Sequence, residues 1–90
     1  NDLLALGCLD VMKETGLLVP DNISIAGYDN MPFLDRMSPA LTTVSLPKYE
    51  MGAQATTTLL QIIGGGAVAP VVLRMQPRLL VRNSTALVSR

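Results

Sequence analysis

Two polar residues, Asn1 and Asp2, precede a run in which Leu4, Cys8 and Val11 or Met12 recur at spacings of three and four. That period predicts an amphipathic helix over residues 3–15. Either polar residue can cap it, because a side-chain oxygen there accepts from backbone N–H groups that lack a partner within the helix. Gly16 fits a left-handed stop, and Pro20 prevents early resumption. The stretch Ile23-Ser24-Ile25-Ala26-Gly27-Tyr28 is short, branched and partly alternating, and Asp21-Asn22 and Asp29-Asn30 bound it. It predicts a strand. Pro32, residues 33–37 and Ser38-Pro39 suggest a short turn or helical piece. Residues 41–46 are rich in β-formers and predict a second strand.

Pro47 fits the first turn of a second helix, where its missing N–H costs nothing. That helix is expected to run to about Ile63, with Met51, Ala55, Leu59 and Ile62 as its apolar stripe and Gly64-Gly65-Gly66 as its end. Residues 71–76 and 79–82 read as two further strands, and a polar tail follows from Asn83. Helices interleaved with short buried strands predict an α/β fold with a largely parallel sheet. Because the chain opens directly on a helix cap, a strand is expected before Asn1.

Composition sharpens this picture. The 90 residues are 49% hydrophobic and only 16% charged. A chain this short buries a smaller fraction of its surface than a larger domain does. Its apolar excess therefore points to missing partners, either another subdomain or another subunit. The net charge is zero, so no global basic field exists to hold phosphates. The charges are nonetheless segregated. Residues 1–35 carry six acids and one base, a net of −5, and residues 36–90 carry six bases and one acid, a net of +5. The two halves are expected to neutralise each other within one fold.

The chain has no histidine, which removes histidine acid–base chemistry and histidine metal ligation. Its one cysteine, Cys8, excludes an internal disulfide, fits a cytoplasmic protein, and reads as a small buried hydrophobe. No apolar run is long enough to span a membrane, and no signal peptide opens the chain. The three glycines follow a helix, whereas a phosphate loop precedes one. Serines without a histidine partner make no nucleophile motif. Arg74, Arg78 and Arg82 recur every four residues, but Pro77 breaks a helix there, so they read as solvated strand residues. Neither a metal site nor a cofactor is expected.

Two residues stand out for binding. Asp29 follows the first predicted strand, and ligands of open α/β sheets bind at the carboxyl ends of strands. A carboxylate there accepts from sugar hydroxyls or purine N–H groups. Asn1 would sit at the end of the expected preceding strand, and its amide both donates and accepts. Each also has an ordinary structural reading, Asp29-Asn30 as a turn former and Asn1 as a helix cap.

Five blocks in order resemble the last third of LacI/GalR transcription regulators. They are Asn1-Asp2-x-x-Ala5-x-Gly7; Gly16-x-x-Val19-Pro20-Asp21-x-Ile23-Ser24-Ile25-x-Gly27-Tyr28-Asp29-Asn30; Pro39-Ala40-Leu41-Thr42-Thr43-Val44; Gly52-x-x-Ala55; and Arg78-Leu79-Leu80-Val81-Arg82-x-Ser84-Thr85. The resemblance implies a periplasmic-binding-protein-like core, with two α/β subdomains around a ligand cleft. Residues 1–44 would belong to the C-terminal subdomain. Residues 45–66 would form the crossover and a helix of the N-terminal subdomain, and 67–90 the return and tail.

By the same resemblance, Asp29 and Asn1 contact a small-molecule effector, a sugar, nucleoside or purine. Leu6, Phe33, Arg36 and Met37 fall at a homodimer interface. Operator DNA is bound by an N-terminal helix-turn-helix that this sequence does not contain, and no membrane is involved. The alternative is a secreted sugar-binding protein of the same fold serving a transporter. The Leu41-Thr42-Thr43-Val44 and Arg82-x-Ser84-Thr85 blocks favour the regulator. An enzyme subdomain is disfavoured by the missing histidine, metal cluster and nucleophile elbow.

Overall fold

A computed structural model describes residues 1–66 and 72–88. Helix α1 spans Asp2–Glu14, and Asn1 caps it: its Oδ1 accepts from Leu4 N at 3.0 Å. At the other end the Thr15 hydroxyl lies within hydrogen-bond distance of the Val11 and Met12 carbonyls, which also accept from Thr15 N and Leu17 N. Gly16 then turns left-handed at φ 80°, as its position predicts. Asn22 closes the next loop reciprocally. Its backbone N–H donates to Leu18 O at 2.8 Å, and its Oδ1 accepts from Leu18 N at 2.8 Å.

Strand β1 is Thr43–Ser45 and strand β2 is Arg78–Leu80. They pair antiparallel, with Thr43 opposite Leu80 and Ser45 opposite Arg78. The segment at 23–29 runs parallel to β1, through an Ala26–Thr42 bridge and through Gly27 N→Thr42 O at 2.8 Å and Asp29 N→Val44 O at 2.9 Å. The first predicted strand is thus present as a single bridge flanked by hydrogen bonds. The antiparallel return departs from the parallel sheet expected from element order. Its cause is topological. The chain leaves β1 at Ser45 and re-enters opposite it at Arg78, so it must run back in the opposite direction.

The chain divides into two compact units, Asn1–Ser45 with Arg78–Arg90, and Leu46–Pro77. The core of the first is Ala5, Leu34 and Leu41, against which Leu6, Leu9, Ile25 and Met31 pack half-buried. Leu34 opens a short 3-10 turn, Leu34–Arg36, within the piece expected at 33–37. The second unit contains helix α2, Lys48–Ile63, with Pro47 at its cap position. Gly65 ends it left-handed at φ 79°. None of its residues is buried. The stripe of Met51, Ala55, Leu59 and Ile62 is exposed, because the described residues of this unit include no strand on which it could pack. The strand expected over 71–76 is not formed at 72–76, and residue 71 lies outside the described residues. No helix among the described residues is long and apolar enough to cross a membrane.

Candidate functional site

One backbone hydrogen bond joins the two sequence blocks that carry the candidate ligand residues. Asp2 N donates to Tyr28 O at 3.1 Å. The peptide units Asn1–Asp2 and Tyr28–Asp29 therefore lie side by side, at the head of α1 and the carboxyl end of the 23–28 segment. Asn1 is exposed and Asp29 half-buried. Asn1 uses its side-chain oxygen in the helix cap, which leaves the amide NH₂ as the group that can donate elsewhere.

Around this junction the backbone is held in rare conformations. Asp29 has φ 119° and Asn30 φ 56°, both left-handed, although neither is glycine. Successive N–H groups of the turn all find acceptors: Asp29 on Val44 O at 2.9 Å, Asn30 on Thr43 Oγ1 at 3.2 Å, and Met31 on Asp2 Oδ2 at 2.7 Å. The Asn30 side-chain oxygen accepts from Arg82 Nη2 at 3.1 Å, and Arg82 Nη1 donates to Leu41 O at 3.0 Å. Arg82 is thus a half-buried structural donor, not the solvated strand residue its spacing suggested.

Asp2 is the residue that sequence reasoning missed. It passed as a second candidate cap beside Asn1. Its carboxylate is fully buried and faces away from the cap, accepting from the Thr43 hydroxyl at 2.7 Å and from Met31 N. Gly27 makes room for it, because a Cβ at that position would overlap Asp2 Oδ1. Ser84 is a second buried polar joint. Its hydroxyl donates to Ile25 O at 2.6 Å and accepts from Thr42 N at 2.8 Å. Both residues sit inside the sequence blocks quoted above, but nothing in their spacing announces burial.

The residues assigned to an interface differ in exposure. Leu6 is half-buried against the core, whereas Phe33, Arg36 and Met37 are exposed. Phe33 is 69% exposed and left-handed at φ 74°. A cavity lined by Leu9, Met12, Leu17 and Met37 opens beside the C-terminal half of α1, at the opposite end of the helix from Asn1. Among the described residues no group of three or more acidic, cysteine or histidine side chains could hold a metal ion.

Fold and junction define the class: an α/β domain with polar side chains gathered at the carboxyl end of a strand-like segment. The chain belongs to the periplasmic binding protein-like domain family, whose pattern matches residues 1–85. The HTH-type transcriptional repressor PurR of Vibrio campbellii is 42% identical over 84 residues, covering 93% of this chain and 25% of its own length. The arabinose metabolism transcriptional repressor of Geobacillus stearothermophilus is 44% identical over 86 residues, covering 94% of this chain and 24% of its own. A solved LacI family regulator from Enterococcus faecium, with bound ribose, superposes at a TM-score of 0.85 and 35% identity. It covers 96% of this chain and 32% of that one. The resemblance to LacI/GalR regulators read from the five blocks therefore holds, as does the α/β periplasmic-binding-protein-like class. The chain spans about a quarter of the length of the curated relatives it matches.

Proposed function

We propose that this chain is the C-terminal part of the effector-binding and dimerisation core of a cytoplasmic LacI/GalR-type regulator, in which a sugar, nucleoside or purine controls operator affinity. Asn1 and Asp29 contact the effector. The observation that supports them is the Asp2 N→Tyr28 O bond, which brings their peptide units together at one end of α1. Leu6, Phe33, Arg36 and Met37 line the contact with a second copy, and the exposure of Phe33 favours this. Operator DNA is bound by a helix-turn-helix outside this chain. Residues 1–44 belong to the C-terminal subdomain, 45–66 to the crossover and N-terminal subdomain, and 67–90 to the return.

The effector acts through its differential affinity for two arrangements of the core, since a ligand with equal affinity for both shifts nothing. The test is calorimetric titration of the intact protein with ribose, arabinose, cellobiose, glucose 6-phosphate, adenosine and hypoxanthine, repeated with Asp29→Ala. At least one compound is expected to bind, with affinity falling tenfold or more in the variant. Binding that the substitution leaves unchanged would move the site elsewhere. Failure of every compound, with operator binding intact, would overturn the effector reading.

A further inference from the structure

The turn at 29–31 combines strain with unusual support. An aspartate at φ 119° persists where surrounding contacts impose the conformation, and Asn30 beside it takes, at φ 56°, the left-handed form that asparagine tolerates. Three successive N–H groups are each anchored, and two of the three anchors are Thr43 Oγ1 and Asp2 Oδ2. These two anchors are joined to each other through the Thr43 hydroxyl and Asp2 Oδ1. Both residues have no exposed surface.

Helix capping does not explain Asp2, because Asn1 does that work. Stability is a poor reason as well, since a buried carboxylate often stabilises no better than well-packed apolar groups. Yet the backbone at Gly27 is drawn in until no side chain fits against the carboxylate. What Asp2 does with its two oxygens is fix the turn that carries Asp29.

We propose that Asp2 is a positioning residue: together with Thr43 it locks the 29–31 turn, with Asp29 and Asn30 at positive φ, and so sets Asp29 beside Asn1 before any ligand arrives. The proposal rests on the assignment of Asn1 and Asp29 to effector binding. The cost of ordering the turn then falls on folding and not on binding, which is how a rigid supporting residue raises affinity without touching ligand. β1 ends at Ser45, where the chain passes into its second unit, so the same lock holds the strand that leads to that exit.

The test is residue-resolved hydrogen exchange on the intact ligand-free protein, in wild type and in Asp2→Ala, Thr43→Val and Thr43→Ser. Asp2→Ala and Thr43→Val are expected to speed exchange at Asn30 and Met31 at least tenfold, with α1 amides unchanged. Thr43→Ser, which keeps the hydroxyl, is expected to stay near wild type. Unchanged exchange at Asn30 and Met31 in folded Asp2→Ala overturns the proposal. If that variant does not fold, the near-isosteric Thr43→Val decides, and equal loss of protection in α1 and in the turn overturns it.

A second arm titrates ribose into Asp2→Asn. Positioning predicts a Kd raised tenfold or more at full stoichiometry. Reduced stoichiometry at unchanged Kd means that Asp2 only keeps the fold, and it overturns the proposal. Should ribose bind neither wild type nor variant, the effector reading loses that sugar, and the exchange arm alone decides the role of Asp2.

Discussion

The Asp2 carboxylate accepts a hydrogen bond from the Thr43 hydroxyl at 2.7 Å, across 41 residues of sequence, and neither residue has any exposed surface. This contact joins the first turn of α1 to β1. Met31 N completes it from the turn that lies between them in sequence. Three parts of the first unit, a helix head, a strand and a strained turn, thus meet on one carboxylate.

Removing that carboxylate strands its donors. Asp2→Ala leaves the Thr43 hydroxyl and the Met31 N–H buried without an acceptor, and such groups cost about 1–3 kcal/mol each. Relief of the buried charge offsets part of this, so a net loss of about 2–4 kcal/mol is expected. Thr43→Val removes both the donor to Asp2 Oδ1 and the acceptor of the Asn30 N–H, and leaves the Met31 bond to Asp2 in place, so a loss of similar size is expected. Denaturant midpoints of the two single variants and the double variant check this. Strictly additive losses would show that the two side chains are not coupled.

Gly27 is required by proximity and not by backbone angle. A Cβ there would overlap Asp2 Oδ1 and lie 3.1 Å from both Asp2 Cα and Leu41 Cδ2. Two of these three neighbours are a backbone atom and a fully buried carboxylate, so little can give way. Gly27→Ala is expected to destabilise by about 2 kcal/mol or more, in the range of overpacked cores. Combining it with Asp2→Gly should recover part of the loss, because the opposing carboxylate is then gone. Thermal unfolding of the single and double variants measures this, and a double variant no better than the sum of its parts would reject the steric account.

What was legible in the chain follows from the range of the interactions involved. Helix α1 could be read because its cap, its period and its stop at Gly16 all lie within 16 residues. β1 was legible from the β-formers at 41–46. The antiparallel pairing of Ser45 with Arg78 was not, because it depends on where a 32-residue unit returns the chain. The apolar period of α2 was legible, but a period says only which face would be buried if a partner were present. Asn1 and Asp2 look alike as capping residues. Their separation into one exposed cap and one buried acceptor is decided by Gly27 and Thr43, far along the sequence.

Ser84 performs for the returning chain what Asp2 performs for the turn. Its hydroxyl bridges Ile25 O and Thr42 N, while its backbone N–H donates to Ala40 O and its carbonyl accepts from Ile25 N. Ser84→Ala keeps the backbone bonds and removes the bridge. It leaves the Thr42 N–H buried without a partner, so a loss of about 1–3 kcal/mol is expected. Exchange protection should fall first at the Thr42 amide. A variant that melts with wild type and keeps that amide protected would show that the hydroxyl carries no weight.

Phe33 offers a test that separates protomer stability from association. It is left-handed at φ 74° and 69% exposed, so within one copy it bears backbone strain and gains little packing in return. For a non-glycine residue that conformation costs roughly 1–2 kcal/mol. Glycine removes the strain but adds roughly 0.5–1 kcal/mol of backbone entropy lost on folding. Phe33→Gly should therefore leave protomer stability within about 1 kcal/mol of wild type. If the ring seats against a second copy, the same substitution should weaken self-association at least tenfold, equivalent to about 1.4 kcal/mol. Sedimentation velocity over a dilution series of the intact protein, with Asp29→Ala as a control outside the interface, reads this directly. A Phe33→Gly variant that dissociates at the wild-type concentration would remove Phe33 from the interface, and the strain at φ 74° would then need another cause.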